Sequence, residues 1–521
     1  MRNRNVLFLS TISFGWALLL TPRAGWGQDE AVQIDGAAAP VGAVAAGVPK
    51  QRLAPEIAPR LVILPETRPI NPGQETYDAG SFQPAGYVEA APEGLTAAPV
   101  WQTAAIGGMV YALELQSPKA KALRVRMRGP ASQEMELRVY DPTSGSTFGP
   151  YSMDGLRNDE DWWTTIIFGD QIGLEFHVSD AEGVAPRLPE INGIAYISVV
   201  PDVIGGVSDA QGCTHRDVSC EAAWLDEADA VAMLSVVQAN GNVVGFCSGA
   251  LLNRAPSDLA PVVATANHCL GNQSSANSAS YVWLFQTPSC NGAVPNPNNL
   301  PRSDGSLLLK RATGADYNLV GLYEDQGGGF FLGWDSAFWS TGSAATGIHH
   351  PGGTFKRISF GSKFGEMNQT FCDSNGQNCF DADVWNIDYT TGFTQPGSSG
   401  SPVMDSSARV RGTLTGGPAG DCTISRYGRF DLAFPNLRYY LFEMASPSFV
   451  NGAVAGDSGN NGSSERGTVL NPFNTVYEAS FAVPAGGTLM VTPDSYNERF
   501  TIRRAMTIER LGGSGSVVIG Q

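Results

Sequence analysis

All eight cysteines of this 521-residue chain lie between positions 213 and 422, at Cys213, Cys220, Cys247, Cys269, Cys290, Cys372, Cys379 and Cys422. An even number gathered in one stretch of an exported chain predicts a disulfide-bonded domain in the middle of the sequence. No CxxC pair occurs and only five histidines are present, so a metal site is the weaker expectation. Export is what the N-terminus predicts. Met-Arg-Asn-Arg precedes a mainly apolar run from Val6 to Leu20, and Gly25-Trp26-Gly27 gives a small-x-small step before Gln28. This is the layout of a signal peptide over 1–27, and its apolar run is shorter than the roughly 20 residues a bilayer requires. No later stretch is long and apolar enough for a membrane span, so the expected location is secreted and extracellular.

Charge narrows the function. With 33 basic against 50 acidic residues the net charge is −17, which disfavours nucleic acid as a partner. Gly and Pro number 61 and 33 while only 16% of residues are charged, a balance too apolar for disorder and too turn-rich for a helical bundle. The fold class expected is mainly β.

Residues 28–95 are rich in Ala, Pro and Gly and predict a flexible leader. From 96 to 205 the texture changes. Ala122-Leu-Arg-Val-Arg-Met-Arg128 and Glu134-Met-Glu-Leu-Arg-Val-Tyr140 alternate with period two, as half-buried strands do, and a β-sandwich is expected there. The cysteine-bearing block spans 206–449, with strands near 231–238, 245–252 and 408–415 and a terminal helix near 437–443. A Gly/Ser/Asn linker covers 450–466. The segment 467–521 reads as opening coils of a parallel β-helix, too few to stand alone, so it is expected to lean on another surface or self-associate.

One string carries chemistry most sharply: Gln395-Pro-Gly-Ser-Ser-Gly-Ser-Pro402. Gly397 and Gly400 bracket Ser399, a pattern suited to a tight turn that exposes the hydroxyl and converges the amides of Gly397 and Ser399. Such an oxyanion hole contributes about 3 kcal/mol per donor. A serine nucleophile needs a base, and the apolar run Val262–Ala266 leads into His268, followed at once by Cys269. Asp316, ahead of the apolar run 317–322, is the carboxylate expected to orient that imidazole. Individually these residues also read as a linker, a surface histidine and a turn aspartate. Their order decides the matter: His268, Asp316 and Ser399, 48 and 83 residues apart, follow the chain order of chymotrypsin-type double β-barrels.

With those residues in place, the chain resembles the trypsin-like serine peptidases, and among them the bacterial lysyl endopeptidase family. The resemblance runs through Gly-Cys-Thr-His-Arg-Asp-Val-Ser-Cys (212–220), Phe-Cys-Ser-Gly-Ala-Leu-Leu-Asn (246–253), Thr-Ala-Asn-His-Cys (265–269), Leu-Gly-Trp-Asp (332–335), Ile-His-His-Pro (348–351), Pro-Gly-Ser-Ser-Gly-Ser-Pro (396–402), Gly-Gly-Pro (416–418) and Tyr-Gly-Arg (427–429). It implies a chymotrypsin-like double β-barrel, an N-terminal β-rich propeptide over 96–205, and disulfides Cys213–Cys422, Cys220–Cys290 and Cys247–Cys269. Cys372 and Cys379 are then left for each other, a staple extra to the family pattern. The family string also assigns His349 and His350 a structural role, in keeping with neighbouring strand residues facing opposite ways.

The resemblance breaks at the substrate pocket, where the residues implied are Phe393, Thr415, Gly416, Gly417, Ser425 and Trp334. Lysyl endopeptidases carry an Asp two residues before the Tyr of Tyr-Gly-Arg; here it is Ser425. Their His before Gly-Gly-Pro is Thr415, and the usual trypsin position six before the nucleophile holds Phe393. Asp421 is the nearest remaining acid. Without a pocket carboxylate, lysine selectivity is expected to be weak or absent. No Lys occurs between Lys121 and Lys310, so a cut near Gly205 is not a Lys-directed self-cut. Ser398 stands before the nucleophile in place of Asp, which removes the partner for a freed N-terminal ammonium; removal of the N-terminal region is expected to release activity instead. The function expected is a secreted serine endopeptidase made as a preproprotein, acting on protein or peptide substrates, with its own propeptide as partner and no cofactor or metal. A surface-binding or adhesion protein without activity, and an esterase on the same machinery, are the alternative readings.

Overall fold

The computed structural model describes residues 31–39, 49–70, 84–132, 134–153, 161–179, 186–199, 213–238, 240–255, 258–372, 379–418, 421–442, 446–453, 467–469, 471–496, 498, 502, 505–512 and 515–520. The signal-peptide expectation for 1–27 and most of the 450–466 linker lie outside them. Strands dominate, as the composition predicts. Among the described residues, no helix is long and apolar enough to cross a membrane.

Two sheets share one apolar core at the N-terminal end. In the first, Arg60–Ile63, Met109–Gln116, Gln171–Val178, Met135–Tyr140 and Thr147–Ser152 lie side by side. The second holds Ala122–Arg128, Glu190–Ile197 and Pro84–Ala90. Leu113, Val125, Leu137, Leu174 and Ile194 meet between them, all fully buried. The alternation in Ala122–Arg128 explains half of this: Leu123, Val125 and Met127 face the core. The other half differs from the sequence reading. Arg124, expected on a solvent face, is fully buried, because the opposite face of that strand is covered by the cysteine-bearing domain.

The stretch 28–95 also departs from a flexible leader. Within its described residues, Gln33–Ile34 pairs with Gly333–Asp335, Arg60–Ile63 runs parallel to Met109–Gln116, and Pro84–Ala90 lies between Glu190–Ile197 and Val243–Leu251. Gln33–Ile34 and Arg60–Ile63 are too short to show a period in the sequence, and Pro84–Ala90 does not alternate apolar with polar residues. Arg52 and the backbone amide of Leu53 reach the buried carboxylate of Glu175 at 3.0 and 2.7 Å, which fixes a further part of the same stretch.

The cysteine-bearing domain has two halves. In the first, Val231–Val237, Val243–Leu251, Val262–Ala266, Tyr317–Leu322, Ser306–Ala312 and Ser280–Val282 curl around a core of Leu234, Val263, Leu319 and neighbours. The second half closes on itself. Pro402–Met404, Ala344–His349, Arg357–Phe371, Phe380–Thr391, Ile424–Arg429 and Arg409–Gly416 pair in a ring. The four disulfides are Cys213–Cys422, Cys220–Cys290, Cys247–Cys269 and Cys372–Cys379.

The terminal helix is Phe430–Leu441, starting earlier than expected. The sequence signal near 437 is its apolar end, while Phe430 and Phe434 on the same face pack against Trp334. The C-terminal segment forms parallel pairs, Ser448–Val450 with Thr488–Val491 and that strand with Thr507–Arg510. A helix absent from the sequence reading, Val476–Ala482, is capped by Thr475 and sends Phe481 onto Gly321 of the first half. The segment leans on the neighbouring domain, and its buried residues belong to that domain's core.

Candidate active site

His268 sits two residues beyond the strand Val262–Ala266, whose apolar residues anchor it in the first half. Asp316 follows a single 3-10 turn, Thr313–Ala315, and adopts the left-handed conformation with φ 47° and ψ 45°. Aspartate tolerates that region better than most residues, and a non-glycine residue held there marks a local structure fixed by its surroundings. The consequence is a two-pronged grip. Asp316 Oδ1 accepts the His268 backbone N–H at 2.9 Å, and Oδ2 lies 2.7 Å from the imidazole Nδ1. With Asp316 fully buried, one carboxylate sets both backbone and ring. His268 Nε2 has no hydrogen-bond partner among the described residues.

Ser399 lies in the turn after Phe380–Thr391 and is 7% exposed. Gly397 and Gly400 both have positive φ, 93° and 81°. A Cβ at Gly400 would stand 2.2 Å from Thr265 Oγ1 and 2.8 Å from the Ala266 amide, so only glycine lets this turn press against the strand that carries His268. The Ser399 carbonyl accepts the Ser248 amide at 2.7 Å, and Ser248 Oγ donates to the Gly397 carbonyl at 3.0 Å. These bonds join the two halves across the cleft. The Pro396 carbonyl accepts from Gly352 N at 2.6 Å, which places the Gly397 N–H of the same trans peptide on the opposite side. Neither the Gly397 nor the Ser399 amide donates to another described residue.

Behind the turn stands a layer of hydrogen bonds. Ser398 Oγ meets His349 Nδ1 at 2.9 Å, and His349 Nε2 meets Ser359 Oγ at 3.0 Å. His215 reaches Gln395 Oε1 at 3.0 Å and stacks on Phe393 with centroids 4.0 Å apart. Burial, aided by neighbouring cationic groups, pushes His349 well below the usual histidine range, and burial together with Lys356 takes His350 down to about 3. His350 faces away from His349, bonding the Thr354 carbonyl. Among the described residues, Cys247, Cys269 and His268 gather ligand-type side chains, and the two sulfurs there are bound to each other.

The pocket residues divide. Gly416 and Arg426 are register partners, Thr394 Oγ1 and Ser425 Oγ are 2.7 Å apart, and Gly417 backs onto the Ile424 carbonyl, so Thr415, Gly416, Gly417 and Ser425 are neighbours. Phe393 turns its ring onto His215. Trp334 is a correction: it is fully buried among Phe430 and Phe434, its indole N–H donating to the Asn253 carbonyl at 2.8 Å. Opposite Val410, it stands five residues, roughly 16 Å, along the strand from Thr415. A tryptophan beside a short loop reads equally as wall or core, and the aromatic helix beneath decides for core. Asp421 is exposed and accepts from the Thr423 amide and hydroxyl, which hold its carboxyl below the usual range.

One residue escaped the sequence reading. Phe380 stacks on the His268 imidazole, centroids 6.0 Å apart at 23°, and its other neighbour is Phe371. The signal was present in the extra cysteine pair, since Cys372–Cys379 closes the hairpin that carries both aromatics.

A ring of six strands joined to a second curled sheet, with a carboxylate-held histidine and a glycine-bracketed serine turn at the junction, defines the class of trypsin-like serine peptidases. Residues 88–190 match the family described as lysyl endopeptidase N-terminal domain, and residues 207–431 match lysyl endopeptidase, C-terminal domain. The chain belongs to the lysyl endopeptidase family. It is similar to a lysyl endopeptidase of Pseudomonas aeruginosa, 25% identical over 282 residues that make up 51% of this chain and 58% of that protein. Among solved structures it is similar to the Rv3671c protease of M. tuberculosis in its active form, with TM-score 0.31 and 14% identity over 41% of this chain and 81% of that one. It is also similar to the HtrA-type protease AlgW, with TM-score 0.29 and 15% identity over 41% and 60% of the two chains.

Proposed function

We propose that the protein is a secreted serine endopeptidase that hydrolyses peptide bonds through an acyl-enzyme. The observation that carries this is the Asp316–His268 pair: both carboxylate oxygens are engaged by one residue, and the imidazole Nε2 is left open. Ser399 Oγ attacks the substrate carbonyl while His268 Nε2 takes its proton. Asp316 keeps the proton of neutral imidazole on Nδ1 and stabilises the imidazolium formed. The Gly397 and Ser399 amides, without other described acceptors, receive the oxyanion. His268 then protonates the leaving amine, and water attacks the acyl-enzyme by the same route in reverse.

The substrate pocket is uncharged in this reading. Ser425 and Thr394 hydroxyls pair with each other, and Asp421 is occupied by Thr423, so no carboxylate among these residues awaits an ammonium group. Lysine specificity therefore does not transfer from the family. Four disulfides support export, and the N-terminal match supports synthesis as a preproprotein whose first domain is a propeptide. Hydrolysis of casein, set against hydrolysis of a simple ester, tests the assignment. Casein cleavage that vanishes in Ser399→Ala supports it; ester hydrolysis without peptide cleavage makes the protein an esterase, and neither activity makes it a binder.

A further inference from the structure

Residues 349–352 run along the Ser399 turn, where the strand Ala344–His349 gives way to the short turn Pro351–Gly353. His349 Nδ1 lies 2.9 Å from Ser398 Oγ, and the Gly352 amide donates to the Pro396 carbonyl at 2.6 Å. Between them the His350 amide donates to Ser248 Oγ at 3.0 Å, and that hydroxyl donates in turn to the Gly397 carbonyl at 3.0 Å. The approach is close: a Cβ at Gly397 would stand 2.7 Å from the Gly352 nitrogen.

The Gly397 and Ser399 amides belong to the peptides whose carbonyls are those of Pro396 and Ser398. These carbonyls accept from the Gly352 amide at 2.6 Å and the Ser401 amide at 3.0 Å. A trans peptide points its N–H away from its carbonyl, so whatever holds the carbonyls aims the amides. Ser398 stands between the two peptides, and holding its side chain fixes the angle at which they meet. Its hydroxyl accepts the Gln395 amide at 3.2 Å and meets the His349 ring on the other side.

His349 is anchored in its turn. It is fully buried, and its Nε2 lies 3.0 Å from Ser359 Oγ on the neighbouring strand Arg357–Phe371. The planar ring is thus a rigid bridge from that strand to the nucleophile turn. Filling buried space with an imidazole is costly, because both nitrogens must be partnered, and an aliphatic side chain would fill it more cheaply.

We propose, building on the peptidase reading above, that His349 is a positioning residue for the reaction: acting through Ser398, it fixes the turn so that the Gly397 and Ser399 amides converge on the oxyanion. The Ser398 position has no carboxylate to offer a freed ammonium group, and the bridge to His349 orders the turn from within the barrel instead.

The test compares Ser398→Ala, His349→Leu, His349→Asn and the double variant Ser398→Ala/His349→Leu with the unaltered protein. It measures the rate of fluorophosphonate labelling at Ser399, and kcat and KM on a casein-derived peptide. Ser398→Ala and His349→Leu are each expected to slow labelling and lower kcat by roughly 10²-fold, the size of a displaced oxyanion donor, with KM within about threefold. His349→Asn keeps a hydrogen-bonding group near the Nδ1 position and is expected to recover about tenfold of that loss. The double variant is expected to be no slower than the worse single one, since both cut the same link. Ser398→Ala deletes one oxygen and cuts that link from the other side, so the test stands even where His349→Leu does not fold. Labelling and kcat within about threefold of the unaltered protein, or losses that multiply in the double variant, would overturn the positioning role and leave the peptidase reading intact. An unaltered protein that neither labels nor cleaves would overturn both.

Discussion

Asp316 holds His268 by two bonds at once, Oδ1 to the backbone amide at 2.9 Å and Oδ2 to Nδ1 at 2.7 Å. The first bond fixes where the residue begins and the second fixes how its ring lies. An Asp316→Asn variant keeps an oxygen for the backbone amide and presents an NH2 group to Nδ1, which forces the wrong tautomer. The expected result is a fall in kcat of about 10³- to 10⁴-fold, as for the equivalent change in other triads, with little change in folding. Steady-state kinetics on a peptide substrate checks it; loss of less than tenfold would detach Asp316 from the chemistry.

Phe380 covers one face of the same imidazole and is only half-buried, so truncating it removes little core. An aromatic pair of this geometry contributes about 1 kcal/mol. Phe380→Ala is expected to lower kcat/KM by roughly fivefold while leaving the unfolding midpoint nearly unchanged. A large drop in thermal stability with unaltered kinetics would make the ring structural only.

His349 and His350 are buried as neutral groups, His349 far below its ordinary value and His350 at about 3. The unfolded chain takes up protons at both near pH 6.5 while the folded one does not, so unfolding gains protons as pH falls below that value. Stability is complete above about pH 6.5 and declines beneath it by roughly 1.4 kcal/mol per pH unit for each histidine; for His350 the decline ends near 3. Denaturant titrations at about pH 7.5 and 5 should differ by roughly 3–4 kcal/mol, and His350→Gln should remove about half of the difference. A flat profile would contradict the neutral burial.

At the proposed substrate pocket the Ser425 and Thr394 hydroxyls pair with each other. A peptide library varied at the residue before the scissile bond is expected to show no preference for Lys over neutral side chains. Ser425→Asp should raise the Lys-to-Leu ratio by at least about tenfold, since a buried carboxylate discriminates strongly against partners that leave it unpaired. Strong Lys preference in the unaltered protein would contradict the reading.

Period-two alternation in Ala122–Arg128 and the pairing of His268 with Asp316 were legible because both follow from local residue pattern and spacing. What escaped depends on partners far along the chain. Arg124 looks solvated until the second domain covers it, and Gln33–Ile34 has no period because it borrows the edge of Gly333–Asp335. Trp334 changed from pocket wall to core once the helix Phe430–Leu441 began seven residues earlier than its apolar end suggested. Phe380 was hidden because a hairpin tip reveals its target only in three dimensions.

The most direct test of the central claim is fluorophosphonate labelling followed by peptide mass mapping. The account predicts one adduct, on Ser399, formed by the native protein and absent in both Ser399→Ala and His268→Ala. An unlabelled native protein, or an adduct on a different serine that persists in Ser399→Ala, would contradict it.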